Sequence, residues 1–101
     1  MVLIYTTCRD IDEAKKIGEL LVKNGLAACI NTWTIESCYM WEGAVRCETE
    51  GALFIKTLES KIPDVENLIE QNHSYATPFV GAIEVKRLNR AYKEWMTQVI
   101  R

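Results

Sequence analysis

"LAACINTWTIESCYMW", residues 26 to 41, runs into Glu42-Gly43 and then into "AVRCETEGALFIKTL", residues 44 to 58. Both runs are too long and too rich in β-branched and aromatic residues for loops, and the glycine-containing dipeptide between them is a turn signal. The reading is a long antiparallel hairpin. Gly51 is expected to mark a bulge or a bend in its second arm. If Glu42 and Gly43 are the two turn residues, Trp41 faces Ala44 and Cys38 falls opposite Cys47. Counted out from the turn, that is a non-hydrogen-bonded pair with Cα atoms roughly 4.5 Å apart. Two thiols so placed can pack side by side, share a soft metal or oxidise to a disulfide. A one-residue bulge near the turn would undo the pairing.

Working outward, "VLIYTT" (residues 2 to 7) reads as a strand buried on both faces. Asp10 then caps a helix, with Glu13 three residues later completing a capping box. Ile11, Ala14, Ile17 and Leu21 form its apolar stripe, and Asn24-Gly25 ends it. Beyond the hairpin, Ile62, Val65, Leu68 and Ile69 give a second amphipathic helix with Pro63 in its first turn. "FVGAIEV" (79 to 85) is a last strand, and a final helix from near Asn89 carries Tyr92, Trp95, Met96 and Val99 on one face. The order β-α-β-β-α-β plus a helix predicts an α+β, ferredoxin-like sandwich over residues 1–101 as one domain. Two helices cover one face of its four-stranded sheet. The aromatic-rich hairpin and the extra helix predict that neighbouring subunits cover the other.

Twelve Lys and Arg against 14 Asp and Glu give a net charge of -2, no electrostatic reason to expect nucleic acid or an anionic membrane. The element order is shared with RNA-recognition domains, but the equivalent of their aromatic third strand is "EGALFIKT", with one aromatic behind Glu48 and Glu50. An anion loop after the first strand would need glycine where "TTCRDID" has none. Cys8-Arg9 is not a phosphatase cradle, because adjacent side chains cannot form one. One histidine and no recognisable elbow or triad argue for no enzyme. The opening apolar stretch is too short for a signal or spanning segment, so a cytoplasmic protein is expected, with its four cysteines mostly reduced.

The single histidine opens "HSYATP", residues 73 to 78. Pro78 holds Thr77 extended and fixes the entry to the last strand, while the Tyr75 ring packs and its hydroxyl seeks a partner. The corner is therefore structural first. His73 itself is open to two roles, a capping or interface residue or a metal ligand completed by copies or cysteines from neighbouring subunits.

Taken in order, "LAACIN", "YMWEG", "FIKT", "HSYATP" and Tyr92-x-x-Trp95 resemble the divalent-cation tolerance (CutA) family over the whole chain. The resemblance implies a homotrimer of ferredoxin-like subunits, similar in architecture to the nitrogen-regulatory PII proteins and with clefts between subunits. It implies a non-enzymatic role in tolerance of divalent metals, copper in particular. The metal candidates are His73, with Cys29, or with Cys38 and Cys47, as thiolates. A PII-like alternative is a small-molecule site in the clefts, lined by Trp41, Glu42, Lys56, Glu59 and Tyr75, with Lys56 and Tyr75 holding an anionic or polar ligand. The chain departs from the family pattern at Ser74, Ala76 and Phe79, which removes two oxygen ligands near His73. It also departs at Met40, where a second tryptophan is common. The changes weaken a hard-ion site more than a soft one.

Overall fold

Strand β1 (Val2–Cys8) is the centre of the architecture, with β3 (Ala44–Thr57) antiparallel on one side and β4 (Val80–Glu84) antiparallel on the other. The computed structural model describes all 101 residues. Strand β2 (Cys29–Trp41) pairs with β3 to complete a sheet of order β2-β3-β1-β4. Helix α1 (Ile11–Lys23) crosses from β1 to β2, and α2 (Ile62–Asn72), entered through a 3₁₀ turn at Glu59–Lys61, crosses from β3 to β4. Helix α3 (Arg90–Val99) follows the last strand. This is the expected split βαβ sandwich.

The capping box forms at α1. Asp10 accepts a hydrogen bond from Glu13 N at 2.8 Å, while Glu13 reaches back one residue further than usual, to Arg9 N at 3.0 Å. At the other end Gly25 takes φ 69°, Leu26 N donates to Leu21 O, and Gly25 N donates to Val22 O. That is a Schellman motif, and the left-handed backbone explains the glycine. The core lies between α1, α2 and one face of the sheet, with Ile4, Leu53, Ile55, Ile17, Leu21, Val65 and Ile69 essentially without solvent contact. Within it Thr57 Oγ1 donates to Leu26 O at 2.6 Å, tying β3 to the start of β2. Thr57→Val leaves that carbonyl without its partner and is expected to cost about 1 kcal/mol. Thermal melts at fixed protein concentration check it, through a midpoint roughly 4–8 °C lower.

The hairpin register is the one counted from the turn: Trp41 faces Ala44 and Cys38 faces Cys47. Glu42 and Gly43 have φ 49° and 80°, the left-handed pair of a type I′ turn. The expectation of a bulge at Gly51 is overturned. Pairing runs without interruption through Thr34↔Gly51 and Cys8↔Gly51. A Cβ there would meet Asp10 O at 2.3 Å, so glycine is required by the closeness of the α1 N-terminus. Beyond Gly51 the hairpin outruns β1 and its residues pair only with each other.

On the sheet face turned away from α1 and α2, Tyr5 and Trp33 each pack edge-on to Phe54, at 5.4 and 5.2 Å between ring centres, and Tyr5 also meets Phe79. Phe79 remains 60% exposed and Trp33 39%. Helix α3 covers part of the remainder, with Met96 buried against Ala28 and Ile100, and with the Tyr92 ring 5.6 Å from Lys56 Nζ.

Candidate functional site

Three elements meet at the end of β1. The last residue of the strand, Cys8, is buried; the third residue of α1, Glu13, is almost so; and the loop after α2 begins with His73, whose side chain has no solvent contact. Their donor atoms lie within 4.8 Å of one another. His73 Nε2 is 2.8 Å from Thr7 O, and His73 Nδ1 accepts from Tyr75 N at 3.0 Å. These partners assign the imidazole as the Nε2–H tautomer, with its lone pair on Nδ1, 3.9 Å from Glu13 Oε1.

Glu13 is the hub. Besides Arg9 N it accepts from Ser74 N at 3.1 Å and Ser74 Oγ at 2.9 Å. Burial alone would raise its pKa, but the bonds from Arg9 N, Ser74 Oγ and Ser74 N favour the carboxylate and hold it below its ordinary value of 4.5. The same burial, with the nearby carboxylates of Glu13, Glu50 and Asp10, pushes the Cys8 thiol up to about 12, so it is protonated at neutral pH. Ser74, one of the departures from the family pattern, thus supplies two donors to Glu13, its backbone N–H and its hydroxyl.

From this corner Tyr75 reaches the base of the hairpin, where its hydroxyl donates to the buried Glu50 carboxylate. Burial, followed by the Glu50 carboxylate, raises the Tyr75 hydroxyl well above its ordinary value. An open groove of about 360 Å³ lies alongside, walled by Tyr39, Trp41 and Tyr75 and floored by Glu48, Glu50 and Thr77. Its two carboxylates make it suited to cationic groups.

The residues expected from sequence are distributed unevenly. Trp41 and Tyr75 share the groove, and Glu42 sits exposed at the hairpin tip. Lys56 and Glu59 lie at the opposite end of β3, about 40 Å from Trp41 at roughly 3.3 Å per residue. One chain therefore does not bring them together, and the Lys56–Tyr75 grip on an anion is absent within it. Cys29 is opposite Lys56, far from His73, with its sulfur beside the Tyr92 hydroxyl, which burial and that sulfur raise above its ordinary value. Cys38 and Cys47 are joined as a disulfide with Cα atoms 4.1 Å apart. Of the three outcomes open to that pair the structure holds the disulfide, which removes both as thiolate ligands while the bond stands. The sulfur and oxygen beside His73 are instead those of Cys8 and Glu13. Sequence reasoning had used Glu13 for the capping box and set Cys8 aside with Arg9.

Residues 2–99 match the family model described as CutA1 divalent ion tolerance protein. The chain belongs to that family. It is 34% identical to the divalent-cation tolerance protein CutA of Archaeoglobus fulgidus over 97 residues, covering 96% of this chain and 95% of the relative. It is 33% identical to the human protein CutA over 96 residues, 94% of this chain but 54% of the longer human one. The solved structure of the periplasmic CutA from Archaeoglobus fulgidus superposes with a TM-score of 0.95 at 33% identity, covering all of both chains. The rice CutA1 crystal structure gives the same TM-score at 35% identity, covering 99% of this chain and 93% of the other. The CutA1 fold therefore extends across the hairpin and α3 as well as the core. No helix of the chain is long and apolar enough to cross a membrane.

Proposed function

We propose that the chain is a non-enzymatic, homotrimeric divalent-cation tolerance protein that takes up copper or another divalent ion at the Cys8–Glu13–His73 corner. The observation that carries this reading is the convergence of sulfur, oxygen and nitrogen donors within 4.8 Å. The imidazole is already oriented as metal-bound histidines are, with one ring nitrogen donating to a backbone carbonyl and the lone pair on the other. An ion there competes with Tyr75 N–H for Nδ1 and displaces the Cys8 proton. Because Tyr75 also holds Glu50, uptake at the corner is transmitted to the hairpin base. The trimer is supported by the exposed aromatic face around Trp33 and Phe79, which no element of the chain itself covers. The non-enzymatic reading is supported by the engagement of both ring nitrogens of the one imidazole with backbone. A cytoplasmic location remains our reading of the compartment. It would keep the hairpin cysteines largely in their dithiol form.

Native mass spectrometry with Zn(II), and tryptophan fluorescence during the same titration, test the proposal. The expected result is a trimer taking up one ion per chain with a fluorescence change, and both lost in His73→Ala and in the milder Cys8→Ala. Unchanged stoichiometry and affinity in both variants would sink the corner as the site, and a monomer would sink the trimer. The acidic groove supports a second reading, a PII-like trimer that binds a small polar or cationic molecule between subunits, since its volume falls in the range of small-ligand sites. A ligand binding only the native state must raise the melting temperature, so a metabolite screen without any shift removes that reading.

A further inference from the structure

The projecting end of the hairpin carries three sulfur atoms on one face. Cys38 is opposite Cys47, and Met40, opposite Val45, is the next residue along that side of β2. Glu36, opposite Thr49, flanks the pair on the other side. Alternation along the strands makes this face continuous with the side of the sheet that carries Leu53 and Ile55. It is the reverse of the face bearing Trp33, Phe54 and the acidic groove. All three residues are exposed, Met40 by 65%. None of them contributes to a core, so packing does not account for the concentration of sulfur.

The chemistry of this set differs from that of the Cys8–Glu13–His73 corner. Two thiolates on directly opposed residues, with a flexible thioether beside them, form an all-sulfur set that favours Cu(I) over harder divalent ions. We propose that the hairpin is a redox-gated site for a soft cation of the Cu(I) class, with Cys38 and Cys47 as thiolate ligands and Met40 as the third. The disulfide is its closed state. Opening takes two electrons and two protons from a dithiol reductant, which becomes a disulfide as the Cys38–Cys47 bond breaks into two thiols. Binding of the cation then releases the two thiol protons and leaves a bis-thiolate complex. The fold accommodates this cycle because β1 reaches no further along β3 than Gly51. The segment that opens is held only by its own ladder and turn, and the core is not involved. The site shares no residue with the corner proposed above and stands independently of it.

The test uses full-length protein, once reduced and desalted without oxygen and once oxidised, titrated with Cu(I) supplied as its bicinchoninate complex. Uptake is read by loss of the chelate colour and by native mass spectrometry. Reduced protein is expected to take one Cu(I) per chain that the oxidised protein does not. Cys38→Ser and Cys47→Ser should each abolish that uptake, Met40→Leu should weaken it by about tenfold, and His73→Ala should leave it intact. These hairpin positions are exposed, and circular dichroism verifies that each variant is folded. Equal affinity in the oxidised protein, or in a Cys38→Ser/Cys47→Ser double variant where only Cys8 and Cys29 remain, overturns the proposal. Unchanged affinity in Met40→Leu overturns the three-sulfur site.

Discussion

Gly51→Ala is expected to destabilise the protein by about 3 kcal/mol, the upper end of the cost of overfilling a packed interior. The added Cβ would lie 2.3 Å from Asp10 O, 2.6 Å from Asp10 C and 2.8 Å from Ile11 Cα. All three are backbone atoms, so no rotamer change relieves the contact. The helix start cannot move alone either. Asp10 is the N-cap, Glu13 is bonded to Arg9 and Ser74, and displacing either breaks several bonds at once. Gly43 provides the control. It has φ 80° but nothing within 4 Å of its added Cβ, so Gly43→Ala meets only the left-handed backbone penalty, about 1 kcal/mol. The midpoint of thermal unfolding at fixed protein concentration should therefore fall roughly 12 °C or more for Gly51→Ala, and far less for Gly43→Ala. A Gly51→Ala midpoint within about 2 °C of the parent would show that the helix start shifts freely and that the close approach is incidental.

Gly51 also marks the boundary of what the sequence makes legible. Rules that act over a few residues were reliable: Glu42-Gly43 set the turn, and the turn set Cys38 against Cys47 nine positions away. The Asp10–Glu13 box and the Asn24-Gly25 stop were readable for the same reason. Gly51 looked locally like a bulge because its cause is the backbone of Asp10, some forty positions earlier in the chain. The corner was hidden in the same way. His73 meets Glu13 and Thr7 across separations of 60 and 66 residues, and nothing in the local pattern of either segment announces the other. Glu13 already had a sufficient local explanation, which concealed its second role. Lys56 and Trp41 were grouped by family resemblance, and the length of β3 keeps them apart within one chain.

Glu13→Ala is the second substitution with a large expected effect, again about 3 kcal/mol. Hydrogen bonds to a buried charged group contribute roughly 1.5–3 kcal/mol, and removing the carboxylate leaves Arg9 N and the Ser74 donors facing a cavity. Glu13→Gln keeps one acceptor and the shape, so its loss should be roughly half as large. The two differ from the parent in pH dependence as well as size. Glu13 has a lower pKa folded than unfolded, so its stabilisation is fully present above the unfolded value near 4.5 and is lost as pH falls through the folded value. Asp10, whose carboxylate is lowered chiefly by the Glu13 N–H, titrates in the same direction and remains in both variants. Urea unfolding at about pH 7 and about pH 3 should therefore show the variants losing less stability on acidification than the parent, while retaining the Asp10 contribution. Equal acid losses in parent and Glu13→Gln would mean that Glu13 is no better solvated by the corner than by water. Its role as the hub joining α1 to the His73 loop would then have to be given up.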